Sequence, residues 1–259
     1  MNKIIPDYDL SNLRVLVTRP GASGLSLCAE INKQQGQAIH FPTIEFLPPS
    51  HPQQFQEQVF RVDEQDWLIF ISPQAVVSAS YKIHQFWPQF PWQVKVAALG
   101  AGTAKALQKA SLPVDVFPDT TWNSWGLLRL PQFQHVSGKK IMIVRGEGGR
   151  TELADKLKQR GAIVTHMIAY QRSLPQVDVS DCLGLLRAQA VDVVITASGE
   201  GLENLKELLK PGWPTLQFVP VVVISQRMAD IAKELGFRKI LTAKNASHHA
   251  ILEMLNLIC

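Results

Sequence analysis

Six short segments of this sequence are built mostly of glycine and of hydroxyl or guanidinium side chains. They are Arg19-Pro-Gly-Ala-Ser-Gly, Ser72-Pro-Gln, Gly100-Ala-Gly-Thr, Arg145-Gly-Glu-Gly-Gly-Arg, Ser198-Gly-Glu-Gly and Ser225-Gln-Arg. Each follows a short apolar run and opens a helical pattern, so each sits where a helix N-terminus presents free N–H groups and a positive dipole. The set is an inventory of donors, suited to holding carboxylates or phosphates. Arg19, Ser72, Gln74, Thr103, Arg145, Ser198 and Arg227 are therefore candidate anion contacts, and Arg150 reinforces Arg145. Ser72, Thr103 and Ser198 serve equally well as plain helix N-caps.

Tyr170 stands apart. It follows the apolar stretch Ile163–Met167 in the run Ala169-Tyr170-Gln171-Arg172. A phenol at a strand exit can donate a proton to a departing hydroxyl, or simply pack at a hinge. Other chemistries find little support. Gly100 and Gly102 resemble the start of a dinucleotide fingerprint, but Lys105 occupies the third glycine position. The run RGEGGR lacks the Gly-Lys-Ser/Thr ending of a phosphate-binding loop. His248 and His249 point to different helix faces, no nucleophile motif is present, and Glu147 and Glu200 read as solvated or helix-stabilising. No metal site and no cofactor are expected. The six tryptophans read mostly as core or interface packing.

The elements that must position these residues are legible from periodicity. Strand patterns fall at Leu13–Thr18, Ala38–Phe41, Trp67–Ile71, Val94–Leu99, Val114–Phe117, Lys140–Val144, Ile163–Met167, Asp192–Thr196, Val219–Ile224 and Lys239–Thr242. Helical patterns lie between them, for example Leu25–Gln34, Thr103–Ala110, Glu152–Arg160, Gly201–Leu209, Met228–Leu235 and Ser247–Leu257. Continuous apolar strands such as LIFI and VVIT suit sheets covered on both faces. The alternation predicts an α/β fold with mainly parallel sheets.

The two halves also repeat. Val15 matches Met142, Asp66 matches Asp192 and Val94 matches Val219, at separations of 127, 126 and 125 residues. A register that steady across three blocks indicates an internal duplication and two similar domains. It places Thr43 opposite Tyr170. Aperiodic stretches at Pro42–Pro52 and Leu174–Val179 flank a middle block and read as linkers. The repeats are either sequential domains or a terminal domain interrupted by a middle one, and the sequence does not decide between them. Two linkers around a middle block favour the second, with a terminal domain of residues 1–41 plus 173–259, a middle domain of residues 44–168, and a linker of residues 42–43 and 169–172.

Composition narrows the class. The chain has 259 residues, with 26 Lys and Arg against 22 Asp and Glu, a formal charge of +4. No apolar run is long enough for a membrane helix, and no basic block suggests nucleic acid. The start, MNKIIPDYDLSNLR, has no export-type apolar core. Cys28, Cys182 and Cys259 stand far apart without a pairing motif, which suits reduced thiols and a cytoplasmic setting. The mild positive balance fits an anionic small molecule.

Taken together, these residues resemble the uroporphyrinogen-III synthase family. The likeness runs through VLVTRP (Val15–Pro20), FISPQAV (Phe70–Val76), ALGAGTAKAL (Ala98–Leu107), VRGEGGR with Leu153, the Tyr170 strand exit, VVITASGEGLENL (Val193–Leu205) and SHHAILEML (Ser247–Leu255). The resemblance implies two flavodoxin-like or Rossmann-like α/β domains joined by a two-stranded linker, with the substrate in a cleft between them. It implies cofactor-free closure of hydroxymethylbilane to uroporphyrinogen III with loss of water. Tyr170 would be the acid, and main-chain N–H groups with Ser72, Thr103 and Ser198 would hold the intermediate. The resemblance further implies a linear tetrapyrrole polycarboxylate as substrate, handed over by hydroxymethylbilane synthase to a monomeric enzyme. Two departures stand out. Ser225-Gln226-Arg227-Met228 replaces the family's Gly-Pro-Thr-Thr, leaving Arg227 as a donor there. Ser124-Trp125 replaces its Ser-Glu, with Ser124 kept as a candidate contact. A diverged, inactive paralogue that binds or senses an anionic metabolite is the alternative.

Overall fold

The structure is a computed structural model and describes residues 8–258, so Cys259 and the first seven residues lie outside it. The chain divides into two compact units. One takes the chain up to Glu45 and again from Ser173 onward, and the other is Phe46–Arg172.

In chain order the first unit begins with β1 (Arg14–Val17), α1 (Gly21–Lys33) and β2 (Gln37–His40). The chain then forms β3 (Glu45–Leu47), α2 (Pro52–Phe60), β4 (Trp67–Phe70), α3 (Pro73–Phe86), β5 (Lys95–Ala98), α4 (Ala101–Lys109), α5 (Ser124–Arg129), β6 (Lys140–Gly146), α6 (Glu152–Gln159) and β7 (Ile163–Ser173). It returns through α7 (Ser180–Arg187), β8 (Val193–Ile195), α8 (Gly199–Leu208), α9 (Trp213–Leu216), β9 (Val221–Val223), α10 (Gln226–Glu234), β10 (Ile240–Thr242) and α11 (His248–Leu255).

The strand order is β10-β9-β8-β1-β2 in the first sheet and β3-β7-β6-β4-β5 in the second. Every pairing in the first sheet is parallel, as are β7–β6, β6–β4 and β4–β5 in the second. Counted along its own chain, the first sheet has the 2-1-3-4-5 order of flavodoxin-like folds, which places ligands beyond the C-terminal strand ends. Successive strand residues enter opposite cores. On β1, Leu16 joins the cluster of Val194, Leu205 and Trp213, whereas Val15 and Val17 join Leu27, Ile31 and Ile251. On β4, Leu68 and Phe70 face Ala79 and Ile83, and Ile69 faces Leu127 and Leu157. Both faces are covered, which is why these strands read as unbroken apolar runs.

The structure revises several expectations. The stretch read as Pro42–Pro52 linker contains β3, which lies beside β7. The strand expected at Ile163–Met167 runs on to Ser173, so Tyr170 lies within β7 rather than after it. Val114–Phe117 contributes only a single bridge, Val116 to Ala97. Half of the tryptophans are not core. Trp213 packs on Phe237 and Trp67 on Phe133, but Trp92, Trp122 and Trp125 are 88%, 54% and 50% exposed. Cys28 and Cys182 are buried free thiols, and burial pushes the Cys182 thiol up to about 11.

The duplication survives in polar detail at the N-terminal strand edges. Asp192 accepts from the Arg14 backbone N–H at 2.7 Å and from the Arg14 guanidinium at 2.8 Å. Asp66, its counterpart, accepts from the Lys140 backbone N–H and from Lys139 Nζ, both at 2.8 Å. Each carboxylate ties the strand it precedes to the start of the neighbouring strand. The Arg14 hydrogen bonds hold the Asp192 carboxyl below its ordinary value. A lowered folded pKa means the stabilisation is present above the unfolded value and is lost as pH falls through the folded one. Asp192→Asn is expected to cost about 1 kcal/mol at pH 7, a figure already reduced for partial solvent exposure. Urea denaturation of both proteins should show the difference shrinking toward zero as the pH is taken below about 4.

Candidate functional site

Parallel strands end together, and each turn at that end delivers the first residues of a helix. In the second unit these turns bring Ser72, Gln74, Thr103 and Ser124 to the C-terminal edge of one sheet, where Arg145 and Tyr170 stand near the ends of β6 and β7. In the first unit they bring Arg19, Ser198 and Arg227 to the equivalent edge.

Tyr170 is fixed by backbone geometry. The β6–β7 register shifts between Arg145 and Gly146, so Gly146 pairs with Tyr170. The ring lies against the Gly146 backbone so closely that a Cβ at residue 146 would stand 2.6 Å from both Cε2 and Cζ. Phe46 meets the ring edge-on, with centroids 5.3 Å apart. The side chain is therefore 4% exposed, yet its hydroxyl reaches 3.3 Å from Ser72 Oγ. Ser72 in turn caps α3, its Oγ accepting from the Ala75 N–H at 3.1 Å. Ser72 is thus an N-cap, as one reading of the sequence had it, and it also touches the phenol at the sheet edge.

The other candidates differ in how they stand. Ser198 caps α8 through the Gly201 N–H at 3.0 Å. Thr103 does not cap α4: Gly100 occupies that position, and Thr103, 4% exposed, lies in the first turn with its own N–H on the Gly100 carbonyl. Ser124 is the first residue of α5 behind the cap Asn123, and the Gln74 amide donates to Ser78 Oγ at 2.9 Å. Arg227 is exposed in the first turn of α10, where Ser225 caps.

Two of the candidate arginines, Arg145 and Arg19, are buried. Arg145 is 7% exposed and donates to the carbonyls of Gly146, Gly148 and Arg150, so these donors hold its own loop together. Burial, and then the neighbouring Arg172 charge, lower its pKa. Glu147 is solvent-accessible, as expected, but it is not a helix stabiliser. Its carboxylate accepts from Ser50 N–H at 2.6 Å and from Ser50 Oγ at 2.7 Å, which ties the loop to the chain before α2 and keeps the carboxyl ionised. Arg19 is 5% exposed, and its guanidinium donates to the Ala246 carbonyl at 2.8 Å. Its Nε is buried without a hydrogen bond among the described residues, and burial pulls the pKa down to about 10. A buried cation facing carbonyls is suited to an incoming anion.

The first unit has a hydroxyl cluster that sequence reasoning did not single out. Around Gly201, an added Cβ would meet Ser198 Oγ at 2.9 Å, Thr43 Oγ1 at 3.2 Å and Thr196 Oγ1 at 3.4 Å. Thr43 is fully buried and its hydroxyl has no hydrogen bond among the described residues. The repeat register was the available signal, since it pairs Thr43 with Tyr170 and Ser198 with Ser72. Among the described residues, no three His, Cys, Asp or Glu side chains cluster as a metal site, and no helix is long and apolar enough to cross a membrane.

The sequence model of the family described as Uroporphyrinogen-III synthase HemD matches residues 26–253. The chain belongs to that family. A uroporphyrinogen-III synthase of Escherichia coli K12 is 36% identical over 249 residues, covering 94% of this chain and all of that one. One from Salmonella typhimurium LT2 is 30% identical over 246 residues, with 94% and 100% covered. Among solved structures, a mutant uroporphyrinogen III synthase of the extremely thermophilic bacterium Thermus thermophilus superposes with TM-score 0.62 at 19% identity, covering 95% and 98% of the two chains. The uroporphyrinogen-III synthetase of Helicobacter pylori 26695 gives 0.58 at 17% identity, covering 95% and 99%. These two likenesses establish the fold of the synthase family for this chain.

The Gly146 contact yields a specific expectation. Gly146→Ala should destabilise the second unit by about 1–3 kcal/mol through overpacking against the ring. In a Tyr170→Leu background the same substitution should cost at least about 1 kcal/mol less. Denaturant midpoints of the four proteins in the cycle measure that coupling.

Proposed function

We propose that this protein closes hydroxymethylbilane to uroporphyrinogen III, inverting the last pyrrole ring and releasing one water. Membership of the uroporphyrinogen-III synthase family over residues 26–253 carries this reading. The chemistry at the second sheet edge supports it. The Tyr170 phenol donates a proton to the terminal hydroxyl as the carbon–oxygen bond breaks, with electrons supplied by the pyrrole nitrogen. The azafulvene that results is attacked by the substituted carbon of the last ring, giving a spiro intermediate. Fragmentation, reattachment in the inverted sense and loss of a ring proton, which returns to the phenolate, complete the cycle with water as the sole by-product.

Ser72 holds the phenol in line by the 3.3 Å contact and is itself held by the Ala75 N–H. The substrate carries eight carboxylates. The free N–H groups of the capped helices, the buried Arg19 and the exposed Arg227 supply donors for them. Arg145 serves differently, by setting the shape of the Gly146–Arg150 loop behind Tyr170. Because hydroxymethylbilane also closes unaided to the uninverted isomer, much of the catalysis is orientation. The same reading makes the enzyme a cytoplasmic monomer that receives its substrate from hydroxymethylbilane synthase.

The test supplies freshly generated hydroxymethylbilane to the purified protein and separates the oxidised products by isomer. The type III isomer should dominate over a protein-free control. Type I alone, at high protein concentration, would contradict the assignment and leave an anion-binding paralogue.

A further inference from the structure

The loop between α4 and α5 carries two tryptophans that the fold does not bury. Trp122 is 54% exposed and Trp125 50%. Neither serves the core of its unit, because α5 turns Gly126, Leu127 and Leu128 inward. The loop is nevertheless closely seated. A Cβ on Gly100 would stand 2.7 Å from Trp122 Cβ and 3.1 Å from its Cγ, so the root of the indole rests on the glycine that caps α4. A Cβ on Gly126 would collide with the Thr121 carbonyl, and the Asn123 side chain accepts from the Gly126 N–H at 3.0 Å. Two glycines and one cap thus hold an exposed indole at the ligand-facing strand edge. Leaving an aromatic surface of this size half in water forgoes stabilisation unless something covers it.

Its place along the edge says what. Trp122 stands over the turn after β5, and Tyr170 comes from β7, with β4 and β6 between. Three strand spacings separate β5 from β7, about 14 Å. The turns in between are contiguous: Gly102 adjoins Pro73 (3.8 Å from an added Cβ to Cγ), which follows Ser72, which touches Tyr170. The edge therefore has an acid at one end and a flat, electron-rich aromatic face at the other. We propose that Trp122, flanked by Trp125, is a substrate-binding platform on which a pyrrole ring of the tetrapyrrole stacks while another ring reacts near Tyr170. This inference rests on the cyclase reading above. It assigns recognition to the apolar face of the substrate, in addition to its carboxylates.

Stacking of a flat heterocycle on an aromatic side chain is worth enough to change affinity by about one order of magnitude. Trp122→Ala should raise KM for hydroxymethylbilane about tenfold while changing kcat less than about twofold, and Trp122→Phe should recover most of the loss. An unchanged KM in Trp122→Ala, with the thermal midpoint intact, would overturn the proposal. If Trp122→Ala fails to fold, the decision passes to the wild-type protein carrying 5-fluorotryptophan, with the Trp122 resonance assigned through Trp122→Phe. Titration with uroporphyrinogen III under anaerobic, reducing conditions should shift the Trp122 fluorine signal and leave those of Trp67 and Trp213 in place. Saturation seen elsewhere in the spectrum with an unmoved Trp122 signal would refute the platform and leave the cyclase reading standing. No response to the ligand together with no type III product would remove that reading, and this inference with it.

Discussion

The Tyr170 ring and the Gly146 backbone occupy space that no side chain at residue 146 would leave free. That contact requires the register shift between β6 and β7, because only the shifted pairing brings residue 146 opposite residue 170. It also requires the Arg145 loop to leave the sheet immediately, which the guanidinium enforces by gathering three carbonyls of the loop. The consequence is a phenol whose ring is packed like a core residue and whose hydroxyl alone reaches the strand edge beside Ser72. A side chain held this way loses little motional freedom when a ligand arrives, because its ordering was completed on folding, which is what the proposed acid needs.

The duplicated frame explains why only one half is equipped for that role. Both units use the same devices: an aspartate tying strand starts together, and a serine capping the helix after the strand which that aspartate precedes. At the place of Tyr170 the first unit has Thr43, whose short side chain meets Ser198 and Thr196 around Gly201. The first unit therefore offers hydroxyls and a buried guanidinium, while the second offers the phenol. The duplication supplies two donor-rich edges, which differ at this position in having a threonine in one copy and a tyrosine in the other.

Much of this was legible in the sequence. The parallel sheets followed from unbroken apolar runs such as Val193–Ile195, whose residues alternate between two cores. The steady repeat offset foretold two similar units, and helix capping by Ser72 and Ser198 was visible as Ser before a helical pattern. What stayed hidden depended on spatial neighbours far apart in the chain. Thr103 looked like a cap because the glycine that performs the task, Gly100, has no side-chain signal. Arg145 looked like a substrate contact because a sequence does not reveal that its donors turn back on their own loop. β3 was missed because three residues between prolines have no period to detect. The six tryptophans read mostly as core or interface packing by residue type, whereas loop geometry set by Gly100 and Gly126 leaves Trp122 and Trp125 half in solvent.

One buried-ring phenol is proposed to act as the acid on an edge otherwise built from neutral and cationic donors. Steady-state kinetics of Tyr170→Phe with hydroxymethylbilane test it most directly, since the variant keeps the ring against Gly146 and removes only the hydroxyl. The account predicts a fall in kcat of about 10²–10⁴, the usual worth of a positioned acid, with KM within about twofold of wild type. A kcat equal to that of the wild type would contradict it.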